Sequence, residues 1–425
     1  MCILLITIPM EKVLEKIWVG IFVSSFLGSY LGIPGNQSIF LFRILLILHA
    51  ALFVLFGKKD WKRIANVQFF FILLSIWLAG NVISLFWAIE RGEALRYIYY
   101  VFEASYMIFL VVYYVRNQKS YRLFTNVIVW FYLIALFIGL TEVLTGWHMP
   151  LSGSLFYETS KSQFQPTAFL FNTNDYGMFL VIFFPLVFWR LWGWDTRPWN
   201  VCLAVLVLLL SLYLVITTYS RLSIVAFILE TLIIFLFYLR KSTVFFIFGM
   251  TVYLFIDSFL EQGLLAKIRK IIVSSFTQKG ASTEDRMNLY ETAWAIIRDS
   301  HFIGVGAGNV PIQIQNYLRG HETINNLYRA PHNFWLESIG GIGFFAFAIV
   351  TLIVVLFVLS IHMWWRNRNM TDTVQYLIPL IIVFVFCLSS VGLSTIIEKR
   401  YLWLALGIAV LMIDINFSGK EKENG

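Results

Sequence analysis

Apolar stretches long enough to cross a bilayer recur along the whole chain, and no other feature constrains its fold as strongly. A helix needs about 20 apolar residues to span ~30 Å of hydrocarbon. Segments near that length occur at 15–33, 39–57, 67–87, 97–115, 123–145, 176–192, 200–218, 222–239, 244–260, 334–360, 376–395 and 401–416. Lipid offers backbone N–H and C=O groups no partners, so such runs are helices. The expected fold is all-α: a polytopic integral membrane protein with residues 1–425 as a single transmembrane domain of about 12 helices. One large extracytoplasmic loop, 261–331, is expected between spans 9 and 10 and carries short helices.

Composition excludes the soluble alternative. Hydrophobic residues make up 59% of the chain, aromatics 18% and charged residues 13%, against about 25% charged in ordinary soluble domains. A soluble fold of this length has too little polar surface to cover so much apolar matter.

Lys and Arg set the expected orientation. Seventeen lie on the side holding both termini, against six in the short loops opposite. By the positive-inside rule both termini are cytoplasmic. The net charge of +8 is then topological and anchors the chain to anionic headgroups rather than nucleic acid. Cys2, Cys202 and Cys387 are isolated, which suggests neither a disulfide framework nor a metal cluster. The apolar start, Met1 to Pro9, is too short for a signal-peptide core with a charged leader, and Met10-Glu-Lys looks like a natural cytoplasmic beginning.

Polar residues concentrate in two segments on the opposite, outer side, 146–175 and 261–331. Within the second, Leu264, Leu265, Ile268, Ile271 and Ile272 share a helical face opposite Lys267, Arg269 and Lys270, the pattern of a helix lying in the membrane interface. Ser282 and Asp285 read as the next helix start, with Arg286 in the first turn and Met287, Tyr290, Trp294 and Ile297 as the apolar stripe. A cation there opposes the helix dipole and calls for an anion. The string Gly304-Val-Gly306-Ala-Gly308-Asn309 follows a helix rather than a strand, so it reads as a tight turn and not as a dinucleotide loop.

Two residues stand out chemically. His332 precedes an apolar helix that Asn333 is placed to cap. The helix N-terminus disfavours its charged form, leaving a neutral imidazole that is either a general base or a plain interfacial hydrogen-bonding group. Arg221 lies on a tight outer turn, where a guanidinium either meets a phosphate or snorkels to headgroups. The outer loops hold no His/Asp/Glu grouping at ligand spacing, no DxD and no nucleophile elbow, so neither a metal nor a cofactor is expected.

Taken in order, Thr218-Tyr219-Ser220-Arg221, Asp285-Arg286, the Gly304–Asn309 string, Pro331-His332-Asn333 and Glu337…Gly340-Gly341-Ile-Gly343 resemble the O-antigen ligase/polymerase family. Asn172-Thr-Asn174-Asp175 and Arg400-Tyr-Leu-Trp403 are similar too, and the resemblance covers roughly 165–410. It implies a metal-independent, inverting glycosyltransferase of the GT-C type in the bacterial cytoplasmic membrane. Such an enzyme moves a glycan from an undecaprenyl-pyrophosphate donor to a saccharide or glycolipid acceptor, with membrane lipids as its surroundings. The resemblance gives Arg221 and Arg286 the pyrophosphate and His332 the acceptor hydroxyl, with Asn333, Asn174, Arg329 and Arg400 as secondary candidates. Aromatic residues in 146–169, such as Trp147, Phe156, Tyr157 and Phe164, then suit sugar stacking or an aromatic membrane belt equally. A lipid-linked oligosaccharide flippase or other transporter is the alternative class; it would show internal repeats and a charged central cavity, and the sequence shows no repeat.

Overall fold

The computed structural model describes residues 10–33, 36–155, 163–192, 198–238, 273, 280–318, 330–369 and 374–423. Its α-helices are α1 Met10–Leu27, α2 Leu41–Phe56, α3 Gln68–Ile83, α4 Arg91–Tyr114, α5 Gln118–Thr145, α6 Thr173–Trp192, α7 Pro198–Thr217 and α8 Arg221–Tyr238. These are followed by α9 Gly280–Asp299, α10 Val310–Leu318, α11 Phe334–Ile342, α12 Phe347–Asn367, α13 Val374–Gly392 and α14 Arg400–Glu423. Among the described residues eight helical segments are long and apolar enough to cross a membrane, and α2 is a shorter apolar helix. The expected span 244–260 and the expected interfacial helix at 264–272 lie outside the described residues.

Helix ends follow local chemistry. Asn117 caps α5 in a capping box with Ser120, and the helix closes on Gly146 in the left-handed conformation at φ 71°, where a residue without Cβ is least strained. The first span runs from Met10 through α1 and a 3-10 turn, Gly28–Leu31, close to its expected end, and a two-stranded antiparallel hairpin, β1 Gly32–Ile33 with β2 Asn36–Phe40, then leads to α2. The prolines Pro185 and Pro379 sit inside α6 and α13, as membrane helices tolerate when neighbours satisfy the freed carbonyls.

Three helices make the interior. The apolar window of α6 is 83% buried, α13 packs against α6, α8, α12 and α14, and nearly every residue from Tyr401 to Asp414 of α14 is buried. Outer helices turn large apolar side chains outward, including Leu55, Trp130 and Phe137, the inverse of a soluble surface and suited to lipid. Glycines set the close crossings. A Cβ on Gly177 of α6 would lie 2.6 Å from Ser223 Oγ, and one on Gly392 at the end of α13 would lie 2.0 Å from Leu222 Cδ2. Both contacts draw α6 and α13 against the first turn of α8.

Two readings of the segment after residue 280 are corrected. The helix begins at Gly280, six residues before Arg286, so Arg286 stands in its second turn and the dipole argument for an anion there lapses. Its buried face is Leu289, Ala293 and Ile296, which close a small core with Val310 and Ile314. Ile297 is buried as expected, but Met287 and Trp294 are exposed. Helical spacing alone picks out one apolar row, whereas the buried face is decided by where α10 and α11 lie.

The glycine string is the tight turn that its context implied. Gly304, Gly306 and Gly308 all have positive φ. The Val305 and Gly306 amides donate to the Gly340 and Gly341 carbonyls at 2.8 Å, joining the turn to α11. Asn309, fully buried, accepts from the Glu90 amide at 2.7 Å and donates to the Ala307 carbonyl at 2.8 Å and the Glu90 carbonyl at 3.3 Å. It ties the α9–α10 unit to the α3–α4 connection. Replacing Asn309 with Ala orphans buried backbone groups and should lower stability by about 1–3 kcal/mol, measured by thermal unfolding in detergent; an unchanged transition would mean the amide is not the tie.

Candidate active site

Arg221 is the first residue of α8, and its position is set by the turn before it. Thr218 Oγ1 donates to the Val215 carbonyl at 2.6 Å, and Tyr219 takes φ 56° to reverse the chain. The Ser220 carbonyl then accepts from the Ile224 amide at 3.0 Å, and its hydroxyl accepts from Ser223 Oγ at 2.9 Å. A left-handed residue other than Gly is strained by about 1–3 kcal/mol, and such strain persists where surroundings enforce it. The outcome is a half-buried guanidinium at a helix N-terminus. This is the electrostatic situation that favours an anion.

The end of α13 is where the other elements meet. Arg286 Nη2 donates to the Gly392 carbonyl at 3.4 Å. One turn further along α9, Tyr290 Oη lies 3.2 Å from the Val391 carbonyl and 3.3 Å from the His332 carbonyl. Leu222, next to Arg221, packs on Gly392 from α8. Thus α8 and α9 meet the last two residues of α13, and Tyr290 links the 330–333 segment to them.

His332 is half-buried, with φ 53°. Burial, then the charge of Arg286, pushes its imidazole down from 6.5 to about 4. It is therefore neutral at physiological pH, as expected, although the cause differs: burial and a neighbouring guanidinium stand where the helix dipole was invoked. Asn333 does cap α11, its Oδ1 accepting from the Trp335 and Leu336 amides at 3.0 and 3.2 Å.

The remaining candidates divide. Asn174 is exposed near the start of α6, and the residue ordering that start is Asn172, whose Oδ1 accepts from the Asp175 amide at 2.8 Å. Arg329 lies outside the described residues. Arg400 opens α14 and lines a separate cavity of about 360 Å³ with Arg43, Arg96, Lys399, Asp175 and Glu398. There Lys399 pairs with Asp175, and Glu103 lies 3.8 Å from Arg43 and 4.0 Å from Arg400. Site reasoning from sequence did not assemble this group. The signal was available: Glu103 and Arg43 are both ionisable residues inside spans, and such residues seek each other.

A second missed group shapes the 146–172 connection. Glu142 Oε2 accepts from the Thr167 and Ala168 amides at 2.6 and 2.8 Å, and its Oε1 lies 3.2 Å from His148 Nδ1. His148 Nε2 lies 2.8 Å from the Gln163 carbonyl. The carboxylate clasps the polar connection onto the end of α5, which explains why a glutamate is tolerated at the end of that span.

These observations describe a multi-pass helical membrane protein in which one strained turn precedes Arg221, another includes His332, and the elements bearing them meet the helix of Arg286 near one helix end. Comparison with known proteins agrees with that class. A family model described as O-antigen ligase matches residues 206–351, the stretch from α7 to the start of α12. The teichuronic acid biosynthesis protein TuaE of Bacillus subtilis (strain 168) is 24% identical over 406 residues, 90% of this chain and 80% of that protein. Both comparisons bear out the resemblance to the O-antigen ligase/polymerase family.

Because Arg286 is one of two causes holding His332 down, Arg286→Gln should raise its titration from about 4 toward 6.5, while burial keeps it below that value. Histidine NMR across pH 3–8 reads this directly; an unmoved titration would separate the two side chains electrically.

Proposed function

We propose that this protein transfers a glycan from an undecaprenyl-pyrophosphate carrier to an acceptor sugar at the outer face of the cytoplasmic membrane, polymerising or ligating a surface polysaccharide. The observation that carries the reading is that the elements bearing Arg221, Arg286 and His332 come together near the end of α13, through Leu222, the Arg286–Gly392 bond and Tyr290. The excess of Lys and Arg at the opposite end of the helices supports the outward orientation.

In this reading Arg221 and Arg286 meet the charge of the pyrophosphate, which grows as the glycosidic C–O bond breaks and its electron pair leaves with the phosphate oxygen. Preorganised guanidinium donors stabilise that charge without a metal ion. The acceptor hydroxyl attacks the anomeric carbon from the opposite side, its proton passing to the neutral imidazole of His332. A single displacement inverts the anomeric configuration. The relative named for teichuronic acid biosynthesis supports a surface polymer as the product.

The test is glycan transfer by the purified protein in liposomes, using a lipid-pyrophosphate glycan as donor. His332→Ala should remove transfer while expression and membrane insertion stay intact, and near-normal transfer would discard the base. Arg221→Lys should also fail, with a loss of about tenfold or more, because an ammonium cannot reproduce the guanidinium fork; full activity would reduce Arg221 to a headgroup anchor.

A further inference from the structure

Three sectors run along α9. Leu289, Ala293 and Ile296 pack against α10 and α11 and are buried. Beside them Met287 and Trp294, seven residues apart and so on one side of the helix, are exposed. Beyond these, Glu284, Asn288 and Glu291 are exposed and polar. An exposed apolar edge between a buried face and a charged one is the pattern of a helix lying at a membrane surface.

The same edge continues past the end of α9. The Phe302 amide donates to the Ile297 carbonyl at 3.1 Å, and His301 and Phe302 both take positive φ, 52° and 61°. Two successive residues with side chains in this conformation are strained, and the neighbouring elements enforce it. The Phe302 carbonyl accepts from the Phe344 amide at 3.2 Å, and a Cβ on Gly343 would lie 2.0 Å from the same oxygen. Only glycine lets the reversal seat there. It turns Phe302 and Ile303 outward, 46% and 54% exposed, with the Phe302 ring edge-on to Trp294 at 6.2 Å between centroids.

The adjoining span fixes the depth of this tip. The helix α12 has 21 residues, which at a rise of about 1.5 Å each cover about 30 Å, the full hydrocarbon thickness. Its last turn carries Arg366, and Arg368 just beyond stands 3.7 Å over the Trp365 ring, the marks of one membrane boundary. Phe347, at the first residue of α12, therefore lies at the opposite boundary, three residues from the Phe344 that bonds to Phe302. Along α12 the exposed row of Phe347, Val354 and Val358 faces lipid, and Phe344, Phe302 and Ile303 prolong it.

We propose that the Met287–Trp294 edge of α9 and the Phe302–Ile303 tip are embedded in the leaflet at that end of the helices, at the boundary between headgroups and acyl chains, so that lipid is the occupant of this surface. Continuity with the α12 row argues for lipid, since a protein partner seated there would have to strip lipid from the span as well. Arg298, exposed in the last turn of α9, suits the same depth, its stem along the apolar edge and its guanidinium among the headgroups. The surface requires only that the chain spans a membrane and does not rest on the transfer reading. Arg286 and Tyr290 leave α9 beside the embedded edge, so the leaflet sets the height at which they meet the end of α13.

The test reads depth directly. Nitroxide labels are attached to Ile303→Cys, Met287→Cys, Val354→Cys and Glu291→Cys, one at a time, in the full chain carrying Cys2→Ala, Cys202→Ala and Cys387→Ala. The labelled protein, in nanodiscs of phosphatidylethanolamine and phosphatidylglycerol, is exposed to molecular oxygen, which dissolves among acyl chains, and to a water-soluble nickel chelate. Collisions with oxygen should dominate at Ile303 and Met287, as at the lipid-facing Val354, and collisions with the chelate should dominate at Glu291, one turn from Met287 on the polar side. Phe302→Asp should move the Met287 label toward the chelate and leave the Val354 label unchanged, which separates a loosened seat from a misfolded chain. Chelate-dominated collisions at Ile303 or Met287 place the surface in water and overturn the proposal. Shielding of either label from both reagents means that protein, a second copy or another stretch of this chain, covers the surface, and overturns it equally. A Met287 label that Phe302→Asp does not move removes the tip as the seat.

Discussion

A charge surrounded by hydrocarbon must find an opposite charge or reach the edge of the bilayer, and the structure is organised around that requirement. Arg43, a few residues into α2, and Glu103, well inside α4, meet each other, and Arg400 joins them from the start of α14. Lys399 meets Asp175 across the same region. At the opposite end Arg116 of the α4–α5 connection lies 3.5 Å from Asp414 of α14. Among the described residues, the polar groups of the His332 site and of the Arg400 cavity are gathered where helices end.

The gathering depends on close helix contact. The residues Gly177 and Gly392 let α6 and α13 reach the first turn of α8, and the end of α13 then becomes a common surface for α8, α9 and the segment before α11. Two residues with positive φ, Tyr219 and His332, stand beside this surface. Each is held by packing and hydrogen bonds from neighbouring elements, so local strain is sustained by the surrounding bundle. Stability and site geometry are here the same set of contacts.

Much of the candidate site was legible before any coordinates. A histidine followed by a capping Asn before an apolar helix, and an arginine in a tight turn between two spans, are local patterns with local physical meaning, and Asn333 caps as its position implied. The same reasoning misjudged α9. Helical spacing points to Met287, Tyr290, Trp294 and Ile297, yet the buried face is Leu289, Ala293 and Ile296, with Ile297 buried beside it. A helix carrying apolar residues on more than one side does not reveal which side its neighbours will occupy. The lowered titration of His332 was anticipated in direction, while its causes, burial and the charge of Arg286, belong to distant parts of the chain.

By itself the sequence determined the solvent, the helical class and the concentration of polar matter toward one end, because hydrophobic length and backbone hydrogen bonding are properties of each segment alone. Only the tertiary structure decided that Glu103 is shared between Arg43 and Arg400, that Glu142 clasps the 146–172 connection, and that Arg286 bonds to the end of α13. Those pairings join residues separated by up to hundreds of positions, and each is selected by which helices touch and at what height, quantities that no single segment contains.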